Sequence, residues 1–144
     1  MFTIKKFSAS ETEWWERALA IRKAVFVDEL GVDPSLEYEN EAESVHYLLF
    51  LGEKALATAR WRETGHGIKL ERFAVLPAYR NRGIGEILLH EIIKEHTTSG
   101  RPVYLHAQAR AADFYLRNGF SITGEPFSEA GITHYKMVWT GDGT

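Results

Sequence analysis

IKLERFAVLPAYRNRGIGEILLHEIIKE, residues 68–95, is the stretch that decides the fold of this chain. Its first part, Ile68 to Leu76, is mostly apolar and is stopped by Pro77, which is typical of a strand. From about Gly83 onward the apolar residues recur at helical spacing, until Ser99-Gly100 ends the pattern. A strand therefore leads into a helix through a turn that contains two arginines and two glycines.

The turn Arg80-Asn81-Arg82-Gly83-Ile84-Gly85 has the chemistry of a phosphate site. Backbone N–H groups at a helix N-terminus lack intrahelical acceptors and carry the positive end of the macrodipole, so they attract polyanions. Arg80 and Arg82 add charge-assisted hydrogen bonds. No Gly-Lys-Ser/Thr follows, and the glycine spacing is not that of a dinucleotide fingerprint. The pattern favours a pyrophosphate-binding turn, with a basic surface turn as the alternative.

The chain before this stretch is predicted to hold short strands and one helix. The elements are a strand from Phe2 to about Ser8, a helix to about Asp28, and two strands, Val45 to Leu51 and Ala55 to Arg62. Ser10 and Glu13 form a capping box at the start of the helix. Gly52-Glu53 joins the two strands as a hairpin turn, and Ile68 to Leu76 continues this antiparallel meander.

The chain after this stretch returns to the sheet. The elements are a short strand, Val103 to Leu105, a helix, Ala109 to Arg117, and closing strands, Phe120 to Thr123 and Ile132 to Thr140. A strand, helix, strand succession of this length favours a right-handed parallel crossover. Asn118-Gly119 suits the left-handed position beyond a helix end. The order of elements predicts an α/β protein in which residues 1–144 form a single domain around one mixed sheet.

The composition is that of an ordinary globular protein, with 44% apolar and 26% charged residues. A net charge of -3 and the absence of any run of five Lys or Arg argue against a nucleic-acid partner. No 18 apolar residues run together, and Met1 to Phe7 is too short for a signal peptide. We therefore expect a cytoplasmic protein that does not bind membranes.

The 144 residues include no cysteine. Disulfides, thiolate metal sites and a cysteine acyl carrier are thereby excluded, so any acyl transfer is expected to pass directly between the two substrates. The six histidines show no metal-ligand spacing such as His-Glu-x-x-His, and no metal is predicted.

Two motifs together resemble those of a known family. The turn reads Arg-x-x-Gly-x-Gly after a strand, and about thirty residues later Ala111 to Phe120 reads AADFYLRNGF. This pair resembles the GNAT superfamily of N-acetyltransferases, and most closely its ElaA-like small bacterial branch. Ile21 to Glu29, His106 to Gln108 and Phe127 to His134 share the likeness. Leu30 stands where that branch usually has Gln, and this departure bears on substrate identity.

The resemblance implies the acyl-CoA N-acyltransferase fold, a splayed sheet with an antiparallel meander, a βαβ crossover and closing strands. It implies acetyl-CoA as co-substrate without a metal, a primary amine of a small molecule or peptide as acceptor, and a monomer or homodimer. The pantetheine arm would lie along Phe73 to Val75, with the thioester at the split between the two central strands. The implied cofactor-binding residues are Phe73, Ala74, Val75, Arg80, Arg82, Gly83, Ile84, Gly85, Glu86 and Phe114.

Tyr115 occupies the position at which this family places a donor to the leaving thiolate. A tyrosine pKa of ~10 against ~8.5 for a thiol makes full proton transfer uphill by roughly 2 kcal/mol, so hydrogen bonding is favoured. Core packing is the alternative role. Glu71 is the candidate general base, expected on the same strand face as Phe73 and Val75. An equally weighted alternative for Glu71 is a cross-strand salt bridge to Arg60 or Arg62.

The acceptor side has four candidate residues, Glu29, His46, His106 and His134. His106 ends the short strand where the sheet should open, so it could orient the acceptor or relay a proton. The acidic segment from Asp28 to Glu43 is either a solvated face or a mouth that concentrates a cationic amine. Two other functions stay open, a non-catalytic acyl-CoA sensor or partner-binding module and a nucleotide-phosphate binder unrelated to CoA.

Overall fold

A computed structural model describes residues 1–32 and 39–141. The described part of the chain forms a seven-stranded sheet in the order β1-β2-β3-β4-β5-β7-β6. The strands are β1 (Phe2–Ser8), β2 (Val45–Leu51), β3 (Lys54–Thr64), β4 (Gly67–Val75), β5 (Val103–Gln108), β6 (Phe120–Glu129) and β7 (Ile132–Trp139). The α-helices are α1 (Thr12–Arg22), α2 (Ile84–Lys94) and α3 (Ala112–Arg117). A π-helical segment, Lys23–Glu29, continues α1, and 3-10 turns span Pro77–Tyr79 and Ala109–Ala111.

The sheet has one parallel pair among antiparallel neighbours. β1 to β4 form an antiparallel meander, β4 and β5 are parallel on either side of α2, and β7 lies between β5 and β6. This arrangement confirms the mixed α/β sheet and the βαβ crossover that the element order predicted. Parallel strands cannot be joined by a tight turn, so the chain passes from β4 to β5 through the helix α2.

Helices cover the two faces of the sheet separately. Leu88 and Ile92 of α2 are fully buried in a core that also includes Ala112 and Tyr115 of α3. Ala18 and Ile21 of α1 are buried in a second core against the opposite face. Because β2 is covered on both faces, it is an almost continuous apolar run, as expected for a two-sided strand. The two faces of the sheet are called below the α2/α3 face and the α1 face, after the helices that cover them.

The capping box predicted at the start of α1 is wrong. The helix begins at Thr12 with Glu11 as its cap residue, and no side chain bonds to the free N–H groups. The Glu11 carboxylate instead accepts a hydrogen bond from the backbone N–H of Ser8 at 2.9 Å, and the Ser10 hydroxyl lies 2.7 Å from the Ser8 hydroxyl. Both side chains therefore bind back to the end of β1, which makes the strand-to-helix corner tight.

Several element boundaries differ from those predicted. The first α-helix ends at Arg22, and the remainder of the predicted helix is π-helical to Glu29. β6 continues past Thr123 to Glu129, across an irregular register around Gly124, and forms a hairpin with β7. Apolar periodicity ends at Thr123 because the later residues of β6 are exposed, so their pairing leaves no hydrophobic pattern. None of the helices in the described ranges has the length and apolar composition needed to cross a bilayer.

Gly119 has the left-handed conformation that the helix-ending pattern predicted, with φ at 92°. A Cβ at this position would overlap the carbonyl oxygen of Gly141. The Gly119 carbonyl also accepts a hydrogen bond from the Thr140 N–H at 2.8 Å. This glycine therefore allows the end of α3 to lie directly against the end of β7.

We predict that Gly119→Ala lowers the free energy of unfolding by about 2 kcal/mol or more, since it adds backbone strain and steric overlap. Urea denaturation measures the loss. Gly124→Ala is the matched control, because Gly124 is also left-handed at φ 75° but has no atom within 4 Å of the point where a Cβ would lie. The control should lose only about 1 kcal/mol from strain. Equal losses in both variants would contradict the importance of the close approach.

Candidate active site

A cleft of about 960 Å³ opens where β4 and β5 separate. The two strands pair with each other from Ile68 to Leu70 and from Val103 to Leu105. They then continue to Val75 and Gln108 without pairing with each other. Residues from both faces of the sheet line the cleft. The split between the central strands that the family resemblance implied is therefore present, and it connects the α2/α3 face to the α1 face.

The N-terminus of α2 points into this cleft. Gly83 is the cap residue at φ 75°, and Asn81 before it is also left-handed at φ 63°. The first backbone bond of the helix runs from the Ile87 N–H to the Gly83 carbonyl at 3.1 Å. The N–H groups of Ile84, Gly85 and Glu86 precede it and have no intrahelical acceptor. These three groups and the helix dipole place positive partial charge at one end of the cleft, an arrangement that is suited to an anion.

The two sequence motifs meet at Gly85. A Cβ on this glycine would lie 3.4 Å from the Phe114 ring and 3.8 Å from the Val75 side chain. The first turn of α2 therefore packs directly against α3 and against the end of β4. A Cβ at position 85 would meet both neighbours at ordinary van der Waals distance.

Arg80 is held by two partners at the edge of the cleft. Its Nε donates to the Val75 carbonyl at 3.0 Å, and its two terminal nitrogens donate to the two carboxylate oxygens of Glu29 at 2.8 and 2.7 Å. The hydrogen bond from Arg80 lowers the pKa of Glu29. Glu29 does not itself line the cleft. The structure thus binds this predicted substrate residue to Arg80 of the turn before α2.

Most of the predicted cofactor residues are brought together. Those that line the cleft are Phe73, Ala74, Val75, Arg80, Gly83, Ile84, Gly85, Glu86 and Phe114. Arg82 does not line it, and its guanidinium lies 5.7 Å from the centre of the Tyr79 ring. The side chain of Arg82 is therefore not brought to the site.

A bulge in β4 sets which residues face each side of the cleft. Arg72 and Phe73 together oppose one residue of β3, because the register shifts between Thr58 and Arg60, and Arg72 has a left-handed φ of 58°. One extra residue reverses the alternation of side chains along a strand. Phe73 packs on the α2/α3 core, whereas Glu71 bonds to Arg60 on the opposite face. The prediction that Glu71 shares a face with Phe73 and Val75 is wrong for this reason.

Glu71 is a buried ion-pair residue at the floor of the cleft. Its side chain is 5% exposed and accepts from Arg60 Nε at 3.1 Å and Arg62 Nε at 3.0 Å, with Lys69 Nζ at 3.2 Å. Burial by itself raises the pKa of Glu71, but Arg60 and the hydrogen bond from Arg62 outweigh it and lower the pKa to about 2. The cross-strand ion pair weighed in the sequence analysis is present. A carboxylate this acidic binds a proton weakly, and its role as a general base stays a prediction.

Glu41 joins the acidic segment to the α1 face. Its carboxylate accepts from Arg22, from Arg60 at 2.7 Å and from Trp15 Nε1 at 2.7 Å, and it is 11% exposed. Burial by itself raises the pKa of Glu41, but the hydrogen bond and the charge of Arg22 outweigh burial, so the pKa is lowered overall. A single carboxylate therefore connects α1, β3 and the segment before β2.

The acidic segment is thus only partly a solvated face. Glu29 and Glu41 are bound to arginines, and among the described acidic residues of Asp28 to Glu43 only Glu39 lines the cleft. Asp33 and Glu37 lie outside the described residues.

His46 lies away from the cleft. It is 1% exposed, its Nε2 donates to the Glu41 carbonyl at 3.0 Å, and its ring stacks on Phe7 with centroids 5.6 Å apart. Burial lowers the pKa of His46. The structure therefore does not bring this predicted substrate residue to the site.

Tyr115 lines the cleft from α3. Its ring packs edge-on against Phe73, Phe114 and Phe120, with centroids 6.4, 5.1 and 5.6 Å away. Burial raises the pKa of Tyr115 above its ordinary value. The hydroxyl therefore keeps its proton and is suited to donate a hydrogen bond rather than to act as an acid.

His106 and His134 line the cleft and lie on either side of a carboxylate that the sequence analysis missed. Glu129 Oε1 is 3.0 Å from His106 Nδ1, and Glu129 Oε2 is 3.7 Å from His134 Nε2. The hydrogen bond from His106 lowers the pKa of Glu129. The Ala130-Gly131 turn after Glu129, with φ of 52° and 76°, is a two-residue hairpin, and its glycine was the available signal. Within the described residues no group of three or more His, Asp or Glu could hold a metal ion.

Comparisons with known proteins agree with this geometry. Residues 14–140 match the family described as "Acetyltransferase (GNAT) domain". The chain is 35% identical over 139 residues to "Uncharacterized N-acetyltransferase YjcF" of Bacillus subtilis (strain 168), a match that covers 94% of this chain and 99% of that protein. The crystal structure of Escherichia coli ElaA is similar with a TM-score of 0.84 and 26% identity, over 96% of this chain and 99% of that one.

A more distant structure shares the fold alone. It is a GNAT family acetyltransferase from Elizabethkingia anophelis with acetyl-CoA bound, with a TM-score of 0.67 and 18% identity over 95% of this chain and 94% of that one. The cleft, the α2 turn and these matches define an acyltransferase with the acyl-CoA N-acyltransferase fold. The chain belongs to the GNAT acetyltransferase family and is ElaA-like.

We predict that Glu71→Gln lowers the free energy of unfolding at pH 7 by about 3 kcal/mol, because it leaves Arg60, Arg62 and Lys69 without their shared carboxylate. Urea denaturation from pH 7 to pH 2 measures this. The native pKa of Glu71 is depressed to about 2, so its stabilisation is present above the unfolded pKa and is lost as pH falls from about 4.5 toward 2.

The variant should therefore be less sensitive to acid than the wild type over that range. Glu63→Gln is the matched control, since Glu63 on β3 is 65% exposed and only reaches Arg101 at 3.4 Å. A Glu71→Gln protein with wild-type stability and wild-type acid sensitivity would contradict the ion-pair role.

Proposed function

We propose that this acyltransferase transfers the acetyl group of acetyl-CoA directly to a primary amine of a small molecule or peptide. The observation that carries the proposal is the α2 N-terminus at the open split between β4 and β5. The free N–H groups of Ile84, Gly85 and Glu86 are suited to a pyrophosphate, and the cleft beside them leads to Tyr115. The fold neighbour from Elizabethkingia anophelis, which contains acetyl-CoA, supports this choice of donor.

The unpaired end of β4 provides the path for the pantetheine arm. Beyond Leu70 this strand pairs with no strand on the β5 side within the described residues, and only its Val75 carbonyl is bonded there, by Arg80. An extended amide chain can pair with such an edge as an added strand would. We place the arm along Phe73 to Val75, with the pyrophosphate at Gly83 to Glu86 and the thioester near Tyr115.

The chemistry requires a neutral amine and a stabilised leaving group. The amine nitrogen attacks the thioester carbonyl carbon, and the C–S electron pair leaves on the sulfur. A lysine-like amine has a pKa of ~10.4, so a site that accepts its proton or desolvates it is needed near pH 7. Tyr115 donates a hydrogen bond to the thiolate as it forms. The chain contains no cysteine, which agrees with direct transfer rather than a cysteine acyl-enzyme.

The cleft carries both signs of charge on the acceptor side. Lys69 and Arg72 line it together with Glu39 and Glu129. An acceptor with an amine and a second polar group suits such a mixed surface better than a purely cationic one. Free thiol release with spermidine, aspartate and a lysine-containing peptide compares these classes, and release with none of them would refute the proposed activity toward amines.

We predict that Tyr115→Phe slows thiol release by about 10- to 100-fold, because the hydroxyl stabilises the leaving thiolate. The dissociation constant of acetyl-CoA should change by less than about threefold. Tyr135→Phe is the matched control, since Tyr135 is partly buried on β7 and does not line the cleft. An equal loss of rate and of binding in Tyr115→Phe would instead assign this residue to packing.

We predict that Glu29→Gln tightens CoA binding by about two- to fivefold, because it frees Arg80 for the pyrophosphate and removes a nearby negative charge. Arg80→Gln should weaken binding by about tenfold. Calorimetric titration with CoA measures both. The pair is about one-third exposed, so neither variant should unfold the protein. Weakened binding in Glu29→Gln would show that Glu29 positions Arg80 instead of competing for it.

A further inference from the structure

His106 lies where the two central strands part. It directly follows Leu105, the last residue of β5 that pairs with β4. Leu105 and Ala107 are buried in the α2/α3 core, so the side chain of His106 between them points to the α1 face. His106 and Tyr115 line the same cleft from opposite faces of the sheet.

The contact with Glu129 determines which ring nitrogen of His106 carries the proton. Glu129 Oε1 lies 3.0 Å from Nδ1, and an ionised carboxylate only accepts hydrogen bonds. Nδ1 is therefore the donor, and in the neutral ring Nε2 has the free lone pair. Within the described residues His106 makes no other hydrogen bond, which leaves Nε2 available to a substrate.

Packing holds both members of this pair in place. The His106 ring contacts Phe127 edge-on with centroids 4.9 Å apart, and Tyr104 lies 6.0 Å away on its own strand. Glu129 is the last residue of β6 and pairs with Ile132 across the two-residue turn. The backbone that carries the Glu129 carboxylate is thereby held next to His106 by the strand pairing of a hairpin.

Glu71, another carboxylate on the α1 face, is poorly suited to accept a proton. Glu71 is bound by Arg60, Arg62 and Lys69, which stabilise its ionised form. Glu129 has two histidines as its hydrogen-bonding or ionic neighbours and is about half exposed. The Glu129 and His106 pair is thus better suited than Glu71 to accept the proton of an amine.

We infer that His106, held in its Nδ1-protonated form by Glu129, accepts the proton of the acceptor amine. This inference rests on the proposed function. His106 Nε2 takes one proton from the nitrogen while the nitrogen lone pair forms the N–C bond to the thioester carbonyl carbon. The C–S bond breaks, its electron pair stays on sulfur, and the thiolate, hydrogen-bonded by Tyr115, takes a proton from water. His106 then releases its proton to solvent, and Glu129 acts as a positioning residue.

Charged groups from β4 and β7 surround this pair. Lys69 of β4 is close enough to Glu129 to contribute to its lowered pKa, and His134 of β7 lies 3.7 Å from its second oxygen. The Lys136 amino group of β7 lies 5.2 Å from the Tyr104 ring beside His106.

The test combines kinetics of matched variants with acetyl-CoA and the three-amine panel. Glu129→Gln and His106→Gln should each lower kcat by about 10- to 100-fold, with the KM for acetyl-CoA within about twofold of wild type. Glu129→Asp should recover part of kcat, and Glu125→Gln, an exposed change on the same strand, should leave kcat unchanged.

The double variant separates a working pair from two independent effects. If Glu129 acts through His106, the double variant should be no slower than His106→Gln alone. Multiplied losses would overturn the inference.

A second measurement does not depend on turnover. Nitrogen-15 NMR of histidine-labelled protein should show His106 as the Nδ1-protonated tautomer in the wild type and as a mixture in Glu129→Gln. An Nε2-protonated His106 in the wild type would overturn the inference even in an active enzyme. A wild type that binds acetyl-CoA but releases no thiol with any amine would instead refute the proposed function, while the tautomer still reports on the pair.

Discussion

β4 and β5 stop pairing after Leu70 and Leu105, and the rest of the site depends on that separation. A sheet that remained paired would be closed to solvent and would have no free strand edge. The separation leaves the end of β4 with unpaired backbone groups and opens a passage between the two faces. The bulge at Arg72 lies at the same point, and it turns Glu71 and Phe73 to opposite sides of the passage. The passage is therefore lined by residues from both faces of the sheet.

Buried charges stabilise the α1 side of this opening. Arg60 lies between Glu41 and Glu71, and Glu41 also binds Arg22 and Trp15. Each charge has a partner of opposite sign, which is the condition under which buried ions are tolerated. The network joins α1 to β3 and β4, so the helix and the bulged strand are positioned together. It also binds carboxylates that would otherwise attract a cationic acceptor.

The α2/α3 side is built from close contacts between apolar groups. Gly85 allows Phe114 to reach the first turn of α2, and Gly119 allows the end of α3 to approach the end of β7. Tyr115 is consequently surrounded by three aromatic rings. The α2/α3 side of the cleft is thus apolar with one hydroxyl, whereas the opposite side carries histidines and paired carboxylates. Under the proposed function, this difference separates stabilisation of the thiolate from acceptance of the amine proton.

The order of strands and helices, the strand-to-helix turn at Arg80 to Gly85, and the left-handed Gly119 could all be predicted from the sequence. These features depend on apolar periodicity and on residues adjacent in the chain, so local rules detect them. Only the tertiary structure decided the face of Glu71 and the pairing of His106 with Glu129, 23 residues away. The bulge that turned Glu71 is centred on an arginine, which gives no local signal for a left-handed backbone. Partners brought together by strand pairing depend on register, and a shift of one residue changes every side chain that follows.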